Sequence, residues 1–512
     1  MRACVPDSNR PPSRPAALTR TGPASPAIRR MRAFLFATAS TAFLATMLAQ
    51  VPAAAFERPR SHPVDDGSAS TGIAGVQVRQ LDPEFWVSRL PAPDRQVLDR
   101  AAIERQNLRL FVQDDSVHDL DAFPARLTRA EATERIRAIS SPPTRGLFNA
   151  EGERFDDIDA LESALALGRI PEPVVVRHGL VVRRADMRSY PTTTRVFSSP
   201  GDTDIDRFQE TALFPGTPLA ILHESRDGEW WFAVSPRYGA WIRKQYVALG
   251  GRDEVLGYRH RTPYLVVTGA TVETVYTPEE PRVSGLQLDM GVRVPLLADW
   301  PADRPVNGQA AYAGHVIELP VRDGDGRLRF VPALLPRTRD VAADYLPLTQ
   351  ANLLRQGFKF LGERYGWGHA YNARDCSGFV SEVYRSFGVQ LPRNTSAQGV
   401  SPAFNTVRFG EDDDRESRLA VLRTLQPGDL VYIPGHVMMV IGQYQGAPYV
   451  IHDVTGITLR EADGSLRRVA LNGVSVTPLE PLQAGEDATI VDRIYSIQKI
   501  RPSEDGAPEL RP

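Results

Sequence analysis

Apolar residues change their spacing several times along the chain, and each change marks a different kind of structure. In "PDRQVLDRAAIERQNLRLF", after Asp82, they recur at three- and four-residue steps, the period of a helix with one buried face. "TRAEATERIRAI" repeats that period and opens with Thr128, followed three residues on by Glu131, the pair of a capping box. "DIDALESALALG" is a third such run and ends in Gly168. Residues 56–175 therefore read as a helical N-terminal module. From there the pattern shortens into β-rich runs between turns. "GTPLAILHES", "EWWFAVS" and "GAWIRKQYVAL" are three strands, with "SRDG" as the hairpin turn between the first two, and they predict a small barrel over 176–255. "PYLVVTG", "VRVPLLAD", "HVIELPV" and "RLRFVPALL" predict a second small barrel over 256–345.

Past Leu346 helices come first and strands after. "TQANLLRQGFKFLGERYGWG" is an amphipathic helix ending in a Gly-rich turn, and "CSGFVSEVYRSFG" is a second helix stopped by Gly388. "DLVYIP", "HVMMVIG" and "PYVIHDV" are strands of an antiparallel sheet. Residues 346–500 are thus an α+β domain, and 501–512 a tail. The fold class is multidomain: a helical segment, two small all-β barrels and a C-terminal α+β domain.

Composition changes the picture at the N-terminus. Arg29 and Arg30 precede "MRAFLFATASTAFLATMLAQVPAAAFERP", which has the basic, apolar and small-residue regions of a secretory signal peptide, with cleavage after Ala53-Ala54-Ala55. Residues 1–55 are read as an upstream extension plus this signal, with Met31 as a candidate start. The apolar run is short for a membrane span, so no stable membrane anchor is expected, an uncleaved anchor being the alternative. The mature protein is expected in the periplasm or outside the cell, as a monomer. With 60 basic and 62 acidic residues and no basic run interleaved with aromatics, nucleic acid is not expected as a partner. No His or Cys cluster has zinc-ligand spacing, and no cofactor is expected.

Of the two cysteines, Cys4 lies in the discarded region, which leaves Cys376 as a lone thiol in an oxidising compartment. Such a thiol is a liability unless it is used. Cys376 opens a helix, where free N–H groups and the helix dipole stabilise a thiolate and can bind an oxyanion. A thiol nucleophile also needs a base and an orienting group. His436 opens the strand "HVMMVI", and His452 lies in the next strand, so antiparallel neighbours can bring the two imidazoles together. Asp453 competes for the orienting role, but adjacent strand residues face opposite sides, so only one of His452 and Asp453 can look toward His436.

"YGWGHAYNARDCSGFV", "LPRNTSAQ", "LQPGDLVYIPGHVMMVIG" and "IHD", in that order, resemble the motif series of the NlpC/P60 cysteine peptidases. The resemblance covers about residues 346–500 and implies a papain-like fold and cleavage of peptidoglycan stem peptides. It implies Cys376 as nucleophile, His436 as base, His452 as the polar third member and Tyr365 as an oxyanion-hole hydroxyl. Asp375 and Ser377 match positions that contact the substrate's free amino end, and Thr395 a hydroxyl of the substrate cleft. His369 stands where the family usually has the second Gly of "WGG", and its side chain is expected to narrow the cleft or alter access. The segment from "RADMRSYPT" to "GAWI" resembles the first of two bacterial SH3 domains that precede some members, where it limits the cleft to stems with a free L-Ala. Tyr238 is the candidate contact there; Thr217 stands where a carboxylate partner is sought. The implied reaction is hydrolysis of the γ-D-glutamyl to diamino acid bond through a thioester. The alternatives are a related cysteine amidase or acyltransferase on another amide, and a non-catalytic wall-binding protein.

Overall fold

The computed structural model describes residues 69–502. The expected signal region, and all of the expected tail after Pro502, lie outside the described residues. Among the described residues no helix is long and apolar enough to cross a membrane.

The N-terminal helices do not build a core of their own. Helix α1 (Arg100–Gln113) starts at Asp99, whose carboxylate accepts the Ala102 N–H at 2.7 Å. Helix α2 (Arg129–Ile139) carries the full capping box of Thr128 and Glu131. Ile103 and Leu110 of α1 are buried with Trp86 and Leu98 in the core of the C-terminal domain. Ala132 and Ile136 of α2, with Leu161 of α3 (Ile158–Ala164), pack instead against Phe208, Phe232 and Trp241 of the first β domain. The expected single module is therefore divided between two neighbours. The helix expected from Pro93 also starts later: Asp99 caps it, and the extended Gln96–Leu98 pairs with Leu348–Thr349.

Seven strands follow: β1 (Arg177–Val181), β2 (Ala185–Arg188), β3 (Gln209–Leu213), β4 (Pro218–Glu224), β5 (Trp230–Val234), β6 (Gly239–Arg243) and β7 (Val247–Gly250). They form one sheet in the order β7-β1-β4-β5-β6-β2-β3. The two-residue period of β5 divides its side chains between two cores. Trp230, Phe232 and Val234 face the α2 side, and Trp231 and Ala233 face the opposite side. The next block consists of small sheets around one core. Tyr264–Val267 pairs with Arg293–Pro295 and Val341–Ala342, Thr271–Glu273 with Gln287–Asp289, and Gly314–Arg322 with Leu328–Pro336. Leu265, Leu288, Val294, Ile317 and Leu335 meet at its centre.

In the C-terminal domain helices α4 (Gln350–Phe358), α5 (Cys376–Arg385) and α6 (Thr395–Val400) accompany an antiparallel sheet. Its strands are β8 (Asn405–Arg408), β9 (Leu430–Ile433), β10 (His436–Tyr444), β11 (Ala447–Arg460), β12 (Leu466–Pro478) and β13 (Ser496–Lys499), in the order β8-β13-β9-β10-β11-β12. Phe379, Val380 and Val383 of α5 share a core with Val437, Met439 and Ile451, which fixes the start of α5 over the start of β10.

A buried ionic junction joins the three parts. Arg374, two residues before the thiol, is fully buried and donates to Glu382 (2.6 Å), to Asp289 of the middle block (2.9 Å) and to the Ala270 carbonyl (3.2 Å), and it also pairs with Glu363. Arg184, between β1 and β2, pairs with the same Asp289 and donates to the carbonyls of His369 (3.0 Å) and Ala373. Removing one partner of such a group strands the others without solvent. Asp289→Ala, which leaves two buried guanidinium groups facing each other, is expected to cost about 3–5 kcal/mol. The midpoint of chemical denaturation measures this, and an unchanged midpoint would remove the junction from the stability of the fold.

Candidate active site

Asp375 caps α5, accepting the Gly378 N–H at 2.8 Å, and so places Cys376 in the first turn of the helix. The thiol is 5% exposed, and the Val437 N–H, on the residue after His436, points at its sulfur. Burial, and then the Asp375 charge, push the thiol up to about 12. Against the expected stabilisation of a thiolate at the helix start, burial and the Asp375 charge favour the protonated thiol.

β10 and β11 pair with Met439 opposite Ile451, which puts His436 and His452 on one face as diagonal neighbours. Nε2 of His436 lies 2.9 Å from Nδ1 of His452, and Nε2 of His452 lies 3.1 Å from the Thr477 hydroxyl on β12. Burial pulls His436 down to about 4, and burial together with His436 holds His452 well below the usual range. Both imidazoles are neutral near pH 7. Asp453 is on the opposite face of β11, beside the α5 core. Its carboxylate is buried, accepts no hydrogen bond from the described residues, and is pushed up by burial and by Asp375 and Glu363. It is not the orienting group of His436.

Tyr365 is 8% exposed, and its N–H is held by the Asn472 carbonyl at 3.0 Å. Burial and the nearby Cys376 keep its phenol protonated well beyond the ordinary range. Asp375 and Ser377 flank the thiol, but neither is free. Asp375 accepts from Gly378 N, Ser377 Oγ (3.0 Å), Gly368 N (3.1 Å) and Arg393, whose two terminal nitrogens lie 3.2 and 2.7 Å away. A carboxylate has about four lone-pair sites, so Asp375 has no acceptor left for a substrate ammonium. Against its burial, Arg393 holds it at about 2. Arg393 also donates to Ser377 Oγ at 2.8 Å.

His369 does not narrow the cleft. Its ring is 2% exposed, with Nδ1 2.9 Å from Arg393 and Nε2 3.0 Å from Glu382, and burial drives it down to about 3. A β-carbon on Gly378 would come within 2.6 Å of that ring, so the glycine after Ser377 makes room for it. The loop that carries His369 holds Tyr371 and Asn372 at positive φ as well. Gln209 of β3 donates to the Gly368 carbonyl at 2.9 Å and accepts from Trp367 through its own carbonyl at 3.1 Å.

Tyr238, at the barrel rim, donates to Glu210 at 2.5 Å and is also hydrogen-bonded by Asn394, the neighbour of Thr395. Arg393 reaches Thr211 of β3 at 2.6 Å. The barrel edge therefore meets the Arg393–Thr395 segment directly, and Tyr238 is brought to the same end of the domain as Asp375 and Ser377. Thr395 is half-buried at the start of α6. The carboxylate sought at Thr217 is Glu210: Thr217 only caps Phe214 N at 3.4 Å. No spacing marks Glu210 in the sequence, since its role depends on the pairing of distant strands.

Residues 362–472 match the NlpC/P60 family, and residues 195–243 match an SH3 domain of the SH3b1 type. A protein of Bacillus cereus named gamma-D-glutamyl-L-lysine dipeptidyl-peptidase is 30% identical over 255 residues, covering 46% of this chain and 65% of the relative. A protein of Listeria seeligeri named probable endopeptidase p60 is 32% identical over 102 residues, 20% of this chain and 17% of the relative. The chain thus spans less than two thirds of each of these relatives. An NlpC/P60 endopeptidase structure from Photobacterium damselae subsp. piscicida superposes with a TM-score of 0.64 at 18% identity, over 81% of this chain and 96% of that one, and so shares the fold. The protein carries an NlpC/P60 domain with an SH3 domain of the SH3b1 type before it.

Proposed function

We propose that this chain is a cysteine hydrolase of peptidoglycan stem peptides that cleaves the γ-D-glutamyl to diamino acid bond. The observation that supports it most is a helix-starting thiol against the strand residue next to His436, with His436 Nε2 2.9 Å from His452. If His436 donates its Nε2–H to His452, and His452 in turn donates to Thr477, Nδ1 of His436 is left unprotonated as the base. Cys376 sulfur then attacks the γ-carbonyl while its proton passes to His436. The α5 amides and the Tyr365 hydroxyl stabilise the oxyanion. The proton goes on to the leaving amine, and water, deprotonated by His436, releases the acid and restores the thiol. Because thiol and imidazole are both neutral at rest, the proton moves during attack and not before it.

For the substrate's amino end we assign Glu210 and Tyr238 at the barrel rim, with Ser377 and Thr395 lining the approach and Asp375 contributing charge without a vacant acceptor. The name of the Bacillus cereus relative supports both the bond and a free amine near it. The 256–345 block is read as a second SH3-like unit, and export to the periplasm or beyond follows from the same substrate.

Cys376→Ala is expected to abolish release of product from purified muropeptides, followed by mass analysis, with an unchanged circular-dichroism spectrum. His436→Ala should be nearly as severe and His452→Gln milder, because an amide still orients the base. Turnover in the Cys376 variant, or cleavage at another bond, would overturn the assignment.

The pH dependence follows from His436. Its folded value, about 4, lies below the ordinary 6.5, so the neutral base persists into acid and is lost only as pH falls through about 4. The acid limb of kcat/KM should lie nearer 4 than 6.5. Between those values the unfolded chain binds more protons than the folded one, so stability should fall as pH drops from 6.5 toward 4, and His436→Gln should flatten that fall. An acid limb at 6.5 contradicts the buried, neutral pair.

Acetylating the stem's amino end, or Glu210→Gln acting on the free-amine stem, should reduce kcat/KM by about ten- to a hundredfold, the size of one charged hydrogen bond. Equal rates on free-amine and muramyl-linked stems would refute the amine requirement.

A further inference from the structure

A cavity of about 400 Å³ lies where the first barrel, the middle block, α1 and the C-terminal domain meet. That volume is in the range of small-molecule sites. Its charged lining is of one sign: Arg237 from the barrel, Arg259 and Arg293 from the middle block, and Arg385 from the end of α5, with no Asp or Glu among the lining residues; His260, which accepts from Arg259 at 3.0 Å and which burial holds below its ordinary range, adds no charge. Two of these cations have commitments nearby. Arg259 pairs with Asp121, and Arg385 donates to the Met290 carbonyl at 2.7 Å while lying over the Phe214 ring. The other two arginines are under-used. Arg237 is partly buried and its guanidinium makes no hydrogen bond or ion pair among the described residues, while burial, then Arg385 and Arg393, hold it down to about 9. Arg293 donates one terminal nitrogen to the Arg261 carbonyl at 3.0 Å and stacks on Tyr264, but its Nε is buried without a partner.

Like charges gathered round a cavity repel one another, and a buried guanidinium without an acceptor pays for its lost hydration. An anion with two or more charged oxygens removes both costs at once, because each planar guanidinium fork matches a carboxylate or phosphate group. We propose that this junction is a binding site for a compact, multiply charged oxyanion, phosphoryl or polycarboxylate. It is separate from the thiol: Cys376 and Arg385 stand at opposite ends of α5, about 14 Å apart at the helical rise. Its occupancy does not depend on hydrolysis. By bridging Arg237 of the barrel and Arg293 of the middle block, the bound anion also ties together two of the parts that meet there.

Isothermal titration of the mature chain with inorganic phosphate and with citrate, at constant ionic strength in chloride, tests this. Saturable binding of one equivalent is expected. Binding of phosphate alone identifies a phosphoryl ligand, and of citrate alone a polycarboxylate. Arg237→Gln and Arg293→Gln, each with a wild-type circular-dichroism spectrum and thermal midpoint, should weaken binding about tenfold or more. Cys376→Ala should bind as wild type does. No saturable heat with either anion, or unchanged affinity in both arginine variants, overturns the proposal.

Discussion

The fully buried guanidinium of Arg374 is the constraint on which the rest of the arrangement depends. A charge taken out of water is tolerated only where acceptors surround it, and its acceptors come from two parts of the chain: Glu382 and Glu363 from the C-terminal domain, Asp289 and the Ala270 carbonyl from the middle block. Asp289 in turn binds Arg184 of the first barrel, which holds the loop carbonyls before the thiol. The domains cannot slide without exposing or stranding these charges. Because Arg374 is followed directly by Asp375 and Cys376, the junction that assembles the protein also sets the position of the Cys376 thiol.

The barrel takes part in the site for the same reason. His369, Tyr371 and Asn372 adopt left-handed backbone conformations that non-glycine residues enter at a cost. Contacts from the barrel offset it: Gln209 to the Gly368 carbonyl, Arg184 to the His369 carbonyl, and Arg195 to the Tyr371 hydroxyl at 2.7 Å. His369 then serves as an uncharged link between Arg393 and Glu382, whose carboxyl, against its burial, Arg374 holds below the usual range. One chain of hydrogen bonds thus runs from the ionic junction through His369 to Arg393, and from there to the groups beside the thiol.

The pairing of His436 with His452 depends on burial and on sheet register. The diagonal placement of His436 and His452 follows from Met439 pairing with Ile451, and the same alternation turns Asp453 away from them. Burial keeps both imidazoles neutral and the thiol protonated. The proposed chemistry therefore begins from a neutral thiol and neutral imidazoles.

Much of this was legible in the sequence, because local rules write it there. The capping pair Thr128 and Glu131, the β-rich run "EWWFAVS", the helix after Cys376 and the strand after His436 each depend on residues a few positions apart. The helix in "PDRQVLDRAAIERQNLRLF" was legible but its start was not, since only the distant Leu348–Thr349 draws Gln96–Leu98 into a strand. The division of the N-terminal helices between two cores was hidden for the same reason. So were the saturation of Asp375 by Arg393, the turning of His369 into the interior and the pairing of Glu210 with Tyr238. The sequence by itself determined the elements and the reactive residue types. The tertiary structure decided which charges meet, which are buried and which keep an acceptor free, because electrostatic energy depends on distance and solvent exposure, and neither is written in sequence spacing.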